Sequence, residues 1–237
     1  MMKKMKLADV SFGKNFEIWG HAYTVLDGDD KGVFVLEADA VCEMPFREDE
    51  VDYKVAPNDF RDSSVRAYLE GRYTEGLVSA GAKLDEDILP MELDLKCTLG
   101  QHEYGTARVY AGLLTLEQYG KYYDIIPRID TTYWLATPWK TPSRSPNTNS
   151  TDYVWNVNSN GNYNNWNYNN SIGVRPALME KAGMSSLTVK SVSPSSKGVI
   201  SCSLLLCNRQ GRIQYADAEG PAGQSAATAF SFINTER

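Results

Sequence analysis

The chain has 237 residues, of which 42% are hydrophobic, 11% aromatic and 23% charged, enough apolar material to exclude wholesale disorder. The net charge of -6 is uneven: residues 1–130 carry 15 Lys/Arg against 25 Asp/Glu, and residues 131–237 carry 9 against 5. No basic patch with interleaved aromatics occurs, so a nucleic-acid partner is not expected.

The longest apolar run, around residues 204–206, is far too short to cross a bilayer, and no membrane insertion is expected. The basic start at residues 1–6 leads into Leu7-Ala8-Asp9 rather than a signal-peptide apolar stretch, so synthesis in a cytoplasm is the expectation. Cys42, Cys97, Cys202 and Cys207 form no CxxC pair and read as reduced thiols.

Residues 16–19, 23–26 and 33–36 are β-rich runs, and Asp27-Gly28-Asp29-Asp30-Lys31-Gly32 between the last two predicts a hairpin. The same loop fails as an EF-hand, because Lys31 and Ala38 fall at its fifth and twelfth positions, where oxygen ligands belong. Ser63-Ser64 ahead of Val65, Tyr68 and Leu69 predicts an N-capped helix ending at Gly71 or Gly76. Thr115 and Gln118 have capping-box spacing and predict a second helix, with a Leu116, Tyr119 and Tyr123 stripe and a stop at Pro127. Residues 77–113 between the helices show no clear period.

Tyr133-Trp134-Leu135-Ala136-Thr137-Pro138 reads as a buried strand and residues 152–158 as an alternating one. Asn160-Gly161 is a strong hairpin turn, and Gly173-Val174-Arg175-Pro176-Ala177-Leu178 reads as a last short strand. After residue 181 the chain turns rich in Ser, Ala and Gly, with one β-like stretch at 198–206 and a turn at 208–211. That segment reads as a separate appendage.

Of the 15 asparagines, 11 fall between positions 147 and 170, together with Tyr153, Trp155, Tyr163, Trp166 and Tyr168 and a single charge, Asp152. One reading is a low-complexity polar tract prone to disorder or aggregation. The other is a binding surface: Tyr and Trp give rigid contact area, Asn, Ser and Gly give adaptable donors and acceptors, and a tract this uncharged docks at low desolvation cost. The regular aromatics, the Asn160-Gly161 turn and the flanking strand patterns favour the second.

No GxSxG, Walker loop, GxGxxG or HExxH occurs. Cys97 lies five residues before His102, but no third group is evident to orient such a pair, and a structural or surface role is expected. Cys202 and Cys207 lack partners for a metal. The acidic runs Glu48-Asp49-Glu50-Asp52 and Asp85-Glu86-Asp87 read as solvated loop faces. No catalytic residue, metal or cofactor is expected, and the chain reads as a binder rather than an enzyme.

Taken in order, the landmarks resemble a family of bacterial and phage domains that end in a GVRPAL signature. They are Gly13, Ile18-Trp19, Val25-Leu26-Asp27, Ser64-Val65-Arg66-Ala67-Tyr68-Leu69, residues 113–122, the Tyr133 to Pro138 run and the Gly173 to Leu178 run. The resemblance covers about residues 10–180. It implies a C-type lectin-like fold, shared with formylglycine-generating enzymes, whose catalytic cysteine pair is not recognisable here, so no activity is carried over. Some such domains are variable proteins of diversity-generating retroelements, in which adenines of a template repeat are mutated before the repeat is copied into the gene. Asparagine codons are adenine-rich, so an asparagine pile-up resembles such a variable region. Trp155 and Trp166, whose codon has no adenine, would be fixed scaffold residues or, for Trp166, a fixed contact. Variable regions of that kind usually close their chains, whereas here residues 181–237 follow.

The resulting expectation is an α+β, C-type lectin-like domain over residues 1–180 with two helices and small antiparallel sheets, a variable region at about 150–172, and an appendage at 181–237. Trp134, Pro138, Arg175 and Pro176 would be scaffold. Asn156, Asn158, Asn160, Asn162, Tyr163, Asn164, Asn165, Trp166, Asn167, Tyr168 and Asn169 would contact a protein or glycan ligand, on a virion or a cell surface. The rival expectations are an enzyme of the formylglycine-generating kind and a structural virion protein.

Overall fold

The computed structural model describes residues 6–49, 56–144 and 149–183. Strands β1 (Asn15–Ile18), β2 (His21–Gly28), β3 (Gly32–Glu37) and β4 (Cys42–Pro45) open the chain. Helix α1 (Ser64–Tyr68) runs through a π-helical turn, Leu69–Tyr73, into α2 (Thr74–Ser79). Four short strands follow: β5 (Ile88–Leu89), β6 (Met91–Asp94), β7 (Thr106–Val109) and β8 (Ala111–Gly112). After α3 (Leu116–Tyr122) come β9 (Tyr133–Pro138), β10 (Tyr153–Val157), β11 (Tyr163–Asn167), β12 (Ser171–Val174) and β13 (Ala177–Lys181).

One sheet has the order β1-β2-β3-β13-β5, with β8 also on β13; a second has the order β11-β10-β9-β12-β4; β6 and β7 form a separate ribbon. Every pairing between these strands is antiparallel except β12 with β9. Two helical stretches and small, mainly antiparallel sheets thus make a mixed α+β chain around one apolar cluster that holds Phe16, Val35, Leu69, Leu113, Trp134, Val154 and Leu178. Among the described residues no helix is long and apolar enough to cross a membrane.

Local chemistry sets the boundaries. The Asp29 carboxylate accepts from the N–H groups of Lys31 and Gly32 at 2.8 and 2.9 Å, so it closes the β2–β3 turn on its own backbone. Ser63 caps α1 by accepting from the Arg66 N–H, and Thr115 and Gln118 form the full capping box of α3. Neither Gly71 nor Gly76 ends the first helix, because neither takes the left-handed backbone of a C-cap and burial of Leu69, Tyr73 and Leu77 carries the helix past both. In its π turn the Thr74 hydroxyl donates to the Leu69 carbonyl at 2.6 Å, and the Tyr73 hydroxyl donates to the Glu37 carboxylate at 2.7 Å.

The expected single strand at 173–178 is in fact two strands in different sheets. β12 pairs with β4 and β9, and β13 pairs with β3, so the chain changes sheets at Arg175-Pro176. Proline has no N–H to give to a ladder, which suits the crossing point. Arg175 is 1% exposed and its guanidinium donates to the carbonyls of Glu37, Ala38 and Pro127 at 2.8, 3.1 and 3.1 Å. Gly173 is required by close approach, since a Cβ there would lie 2.9 Å from Thr131 Cγ2 and 3.0 Å from the Thr132 carbonyl. The unassigned stretch 77–113 holds β5 to β8. Strand β13 carries order past residue 180: the Lys181 N–H donates to the Asp87 carbonyl and Ala182 is buried. The expected strand at 198–206, the turn at 208–211, Cys202, Cys207, Glu50 and Asp52 lie outside the described residues.

Candidate ligand-binding face

The frame beneath the asparagine block is β9, every residue of which is buried. Trp134 is fully buried, donates from its indole N–H to the Met44 carbonyl at 3.0 Å and meets Phe46 edge-on at 5.7 Å. β10 lies between β9 and β11, with Val154, Asn156 and Val157 at 0 to 1% exposure. At its base Asn58 spans two segments, donating to the carbonyls of Lys140 and Tyr153, both at 2.9 Å, while accepting from the Tyr104 hydroxyl at 2.7 Å.

The hairpin turns over residues 158–162. The Asn158 N–H donates to the Asn162 carbonyl and the Gly161 N–H to the Asn158 carbonyl, both at 2.8 Å. Gly161 takes φ +84, which a side chain would strain, and Asn160 accepts from the Asn162 N–H at 2.9 Å. From α3, the Tyr119 hydroxyl donates to the Gly161 carbonyl. A Cβ on Gly161 would lie 3.2 Å from Arg128 Nε. The tip is therefore pinned to the body of the protein.

Among the described residues β11 is an edge strand, paired with β10 alone. Its register pairs Trp166 with Val154 and Asn164 with Asn156 on one face, and Tyr163 with Val157 and Asn165 with Trp155 on the other. Tyr163 is 59% exposed and stacks edge-on against the half-buried Trp155, while Trp166 is 36% exposed on the opposite face. Asn160, Asn162, Asn164 and Asn169 are exposed, and Asn158, Asn165 and Asn167 are half-buried. Several of these amides serve their own backbone: Asn164 Oδ1 accepts from the Asn165 N–H at 2.8 Å, and Asn167 Oδ1 from the Asn169 N–H at 3.3 Å.

Two residues expected on this face are not on it. Asn156 is fully buried beside Trp134, with Nδ2 donating to Asn158 Oδ1 at 3.3 Å and Oδ1 without a partner among the described residues. It shares the buried Val154 side of an interior strand, so its polarity did not signal exposure. Tyr168 is 8% exposed, because its carbonyl accepts from the N–H groups of Phe46 and Arg47 and its own N–H donates to the Asp152 carbonyl, holding the residue inward. Asp152, half-buried at the foot of the hairpin, has its carboxyl pKa raised by burial.

Sequence reading gives Tyr119 and Tyr123 only as a helical stripe and does not single out Arg128 or Asn58, yet all four lie by the hairpin. Tyr123 is 45% exposed and meets Tyr119 edge-on at 5.7 Å, so an aromatic pair and a guanidinium border the tip from a distant segment. Asn58 carries no local signal for the bonds it makes across more than eighty residues.

The remaining candidates are separate. Cys97 is 2% exposed and its thiol donates to Gln101 Oε1 at 2.8 Å, while His102 pairs with Asp94 at 3.3 Å. Asp85, Glu86 and Asp87 are tied to the Tyr110 hydroxyl, the Lys83 ammonium and the Lys83 N–H. Among the described residues no group of three or more His, Cys, Asp or Glu side chains could hold a metal ion. A cleft of about 600 Å³ lies against the N-terminal half of α3, lined by Asp94, Lys96, Glu117 and Lys121 among others and by no residue of the block. Lys96 sits 2.7 Å from Glu117 and 3.7 Å from Asp94, and Lys121 lies 2.7 Å from Asp27, so both cations of the cleft are ion-paired. No protein-family model, curated protein or solved structure matches the chain.

Proposed function

We propose that this chain is a ligand-binding protein of C-type lectin-like fold whose β10–β11 hairpin displays a diversifiable contact surface, as in the variable proteins of diversity-generating retroelements. One observation supports this best. Asn158, Asn160, Asn162, Tyr163, Asn164, Asn165, Trp166, Asn167 and Asn169 are uncharged and at least partly exposed, on a frame whose own side chains are buried. Such positions tolerate substitution because little of the fold depends on them, and the same positions decide contact with a partner. The Tyr, Trp and Asn chemistry suits a protein or glycan ligand, met on a virion or a cell surface.

The test is a library randomised at Asn158, Asn160, Asn162, Asn164, Asn167 and Asn169, displayed and selected against unrelated protein and glycan targets. Binders with different residues at these positions and near-parental melting temperatures are the expected result. A library that folds but yields no binder, or that loses the fold at most positions, overturns the proposal. Sequencing the neighbouring DNA is the companion test, with a reverse transcriptase gene and an adenine-differing copy of codons 150–178 expected.

A further inference from the structure

The N–H of Asn158 bonds the Asn162 carbonyl and that of Tyr168 the Asp152 carbonyl, which fixes the phase of the β10–β11 ladder. Even-numbered residues of β11 turn their backbone groups toward β10. Tyr163, Asn165 and Asn167 turn theirs toward an edge that carries no further strand among the described residues. There the Asn167 carbonyl accepts from the Asn170 N–H and Nδ2, both at 3.0 Å. Natural edge strands are usually blunted by charge, proline or a bulge. Among the described residues, the four-residue strands at sheet edges follow that rule: β1 carries Glu17, β4 carries Glu43 and Pro45, β6 carries Glu92 and Asp94, and β7 carries Arg108. β11 carries no charge, no proline and no bulge.

We infer that β11 is a pairing strand through which two copies of this chain join, antiparallel and edge to edge, about a twofold axis at Asn165. A second copy is the occupant because the strand is complementary to itself. An asparagine amide is both donor and acceptor, so Asn165 meets Asn165 of the partner subunit without conflict. The same register sets Tyr163 opposite the partner's Asn167 and Asn164 opposite the partner's Trp166, and no like charges face each other. Asn164 Oδ1 now holds the outward N–H of Asn165, and a rotation of that exposed side chain hands the N–H to the partner's carbonyl. The Asn167 carbonyl likewise exchanges its two Asn170 donors for the partner's N–H. Edge pairing uses main-chain groups alone and leaves both faces of the hairpin free, so the joined sheet would set two contact surfaces side by side. An interface this narrow gives a weak dimer, with avidity for repeated ligands as its consequence.

Sedimentation velocity of the full chain over two decades of concentration tests this, with a reversible monomer–dimer shift expected. Asn165→Pro removes only an outward N–H, so it should abolish the shift while leaving the far-ultraviolet circular dichroism and Tm near parental. Asn165→Lys, which does not touch the backbone, covers the case in which proline disturbs the strand; two lysines on the axis should weaken association about tenfold or more. Asn164→Ala frees the Asn165 N–H and should strengthen it. A chain that stays monomeric throughout, or a dimer indifferent to Asn165→Lys, overturns the inference. Selection from the library randomised at Asn158, Asn160, Asn162, Asn164, Asn167 and Asn169, which leaves Asn165 unchanged, reads the contact face separately, so failure of one idea is distinguishable from failure of the other.

Discussion

Asn156 and Asn160 belong to one hairpin, yet burial gives them opposite sensitivities. Asn160 sits in solvent at the turn, whereas Asn156 is enclosed beside Trp134 with one amide oxygen unsatisfied. Placing a charge at each position separates the two environments. Asn160→Asp should change stability by about 0.5 kcal/mol or less, as at ordinary surface sites. Asn156→Asp buries a carboxylate without a counter-charge and should cost more than about 2 kcal/mol. Urea denaturation measures both, and equal small effects would mean that Asn156 is solvated. Trp134→Ala should cost about 3–5 kcal/mol, as for a large aromatic removed from a packed core. Arg175→Lys belongs with it, because an ammonium cannot span the three carbonyls that the planar guanidinium reaches at once.

Among the elements, the hairpin matters most, because its proposed use as a contact surface depends on its tip being held. Gly161 supplies the left-handed turn and the carbonyl that Tyr119 grips. Gly161→Ala should cost about 1–2 kcal/mol from backbone strain, increased by its approach to Arg128. Tyr119→Phe should cost about 1 kcal/mol overall. Its distinctive signature is faster amide exchange at Asn158 and Gly161, whose N–H groups close the turn, with exchange in β9 unchanged. Uniform loss of protection would show that Tyr119 supports the whole core rather than the tip.

The whole molecule carries a pH dependence in its first sheet. Glu180 on β13 is fully buried, neither carboxyl oxygen has a hydrogen-bond partner among the described residues, and burial with Glu37 nearby raises its pKa well above the ordinary 4.5. His21 contributes in the same direction, since its bond to Glu37 at 2.6 Å raises its pKa above the usual 6.5. A raised folded-state pKa means the folded protein keeps protons that the unfolded chain gives up. The stability from each group is complete below its unfolded value and drains away as pH rises toward the folded one. Stability should therefore fall from about pH 4.5 upward, and Glu180→Gln, which has no proton to lose, should flatten that decline. Urea midpoints for both proteins across neutral and alkaline pH provide the check, and parallel declines would remove Glu180 as a cause.

Sequence by itself determined what depends on near neighbours in the chain. The β2–β3 turn closed by Asp29, the capping box of Thr115 and Gln118, the buried run from Tyr133 to Pro138 and the Asn160-Gly161 turn follow from local sterics and hydrogen bonding. The asparagine block was equally plain, because composition needs no fold to be read. Tertiary structure decided which of its side chains face water, because strand order covers both sides of β10 and leaves β11 at an edge. It also split the Gly173 to Leu178 run between two sheets, carried the first helix past two glycines, and brought Asn58, Tyr119 and Arg128 to the hairpin. Exposure and long-range hydrogen bonding are properties of what packs against a residue, and that partner lies tens of residues away, where no periodicity of the sequence can reach.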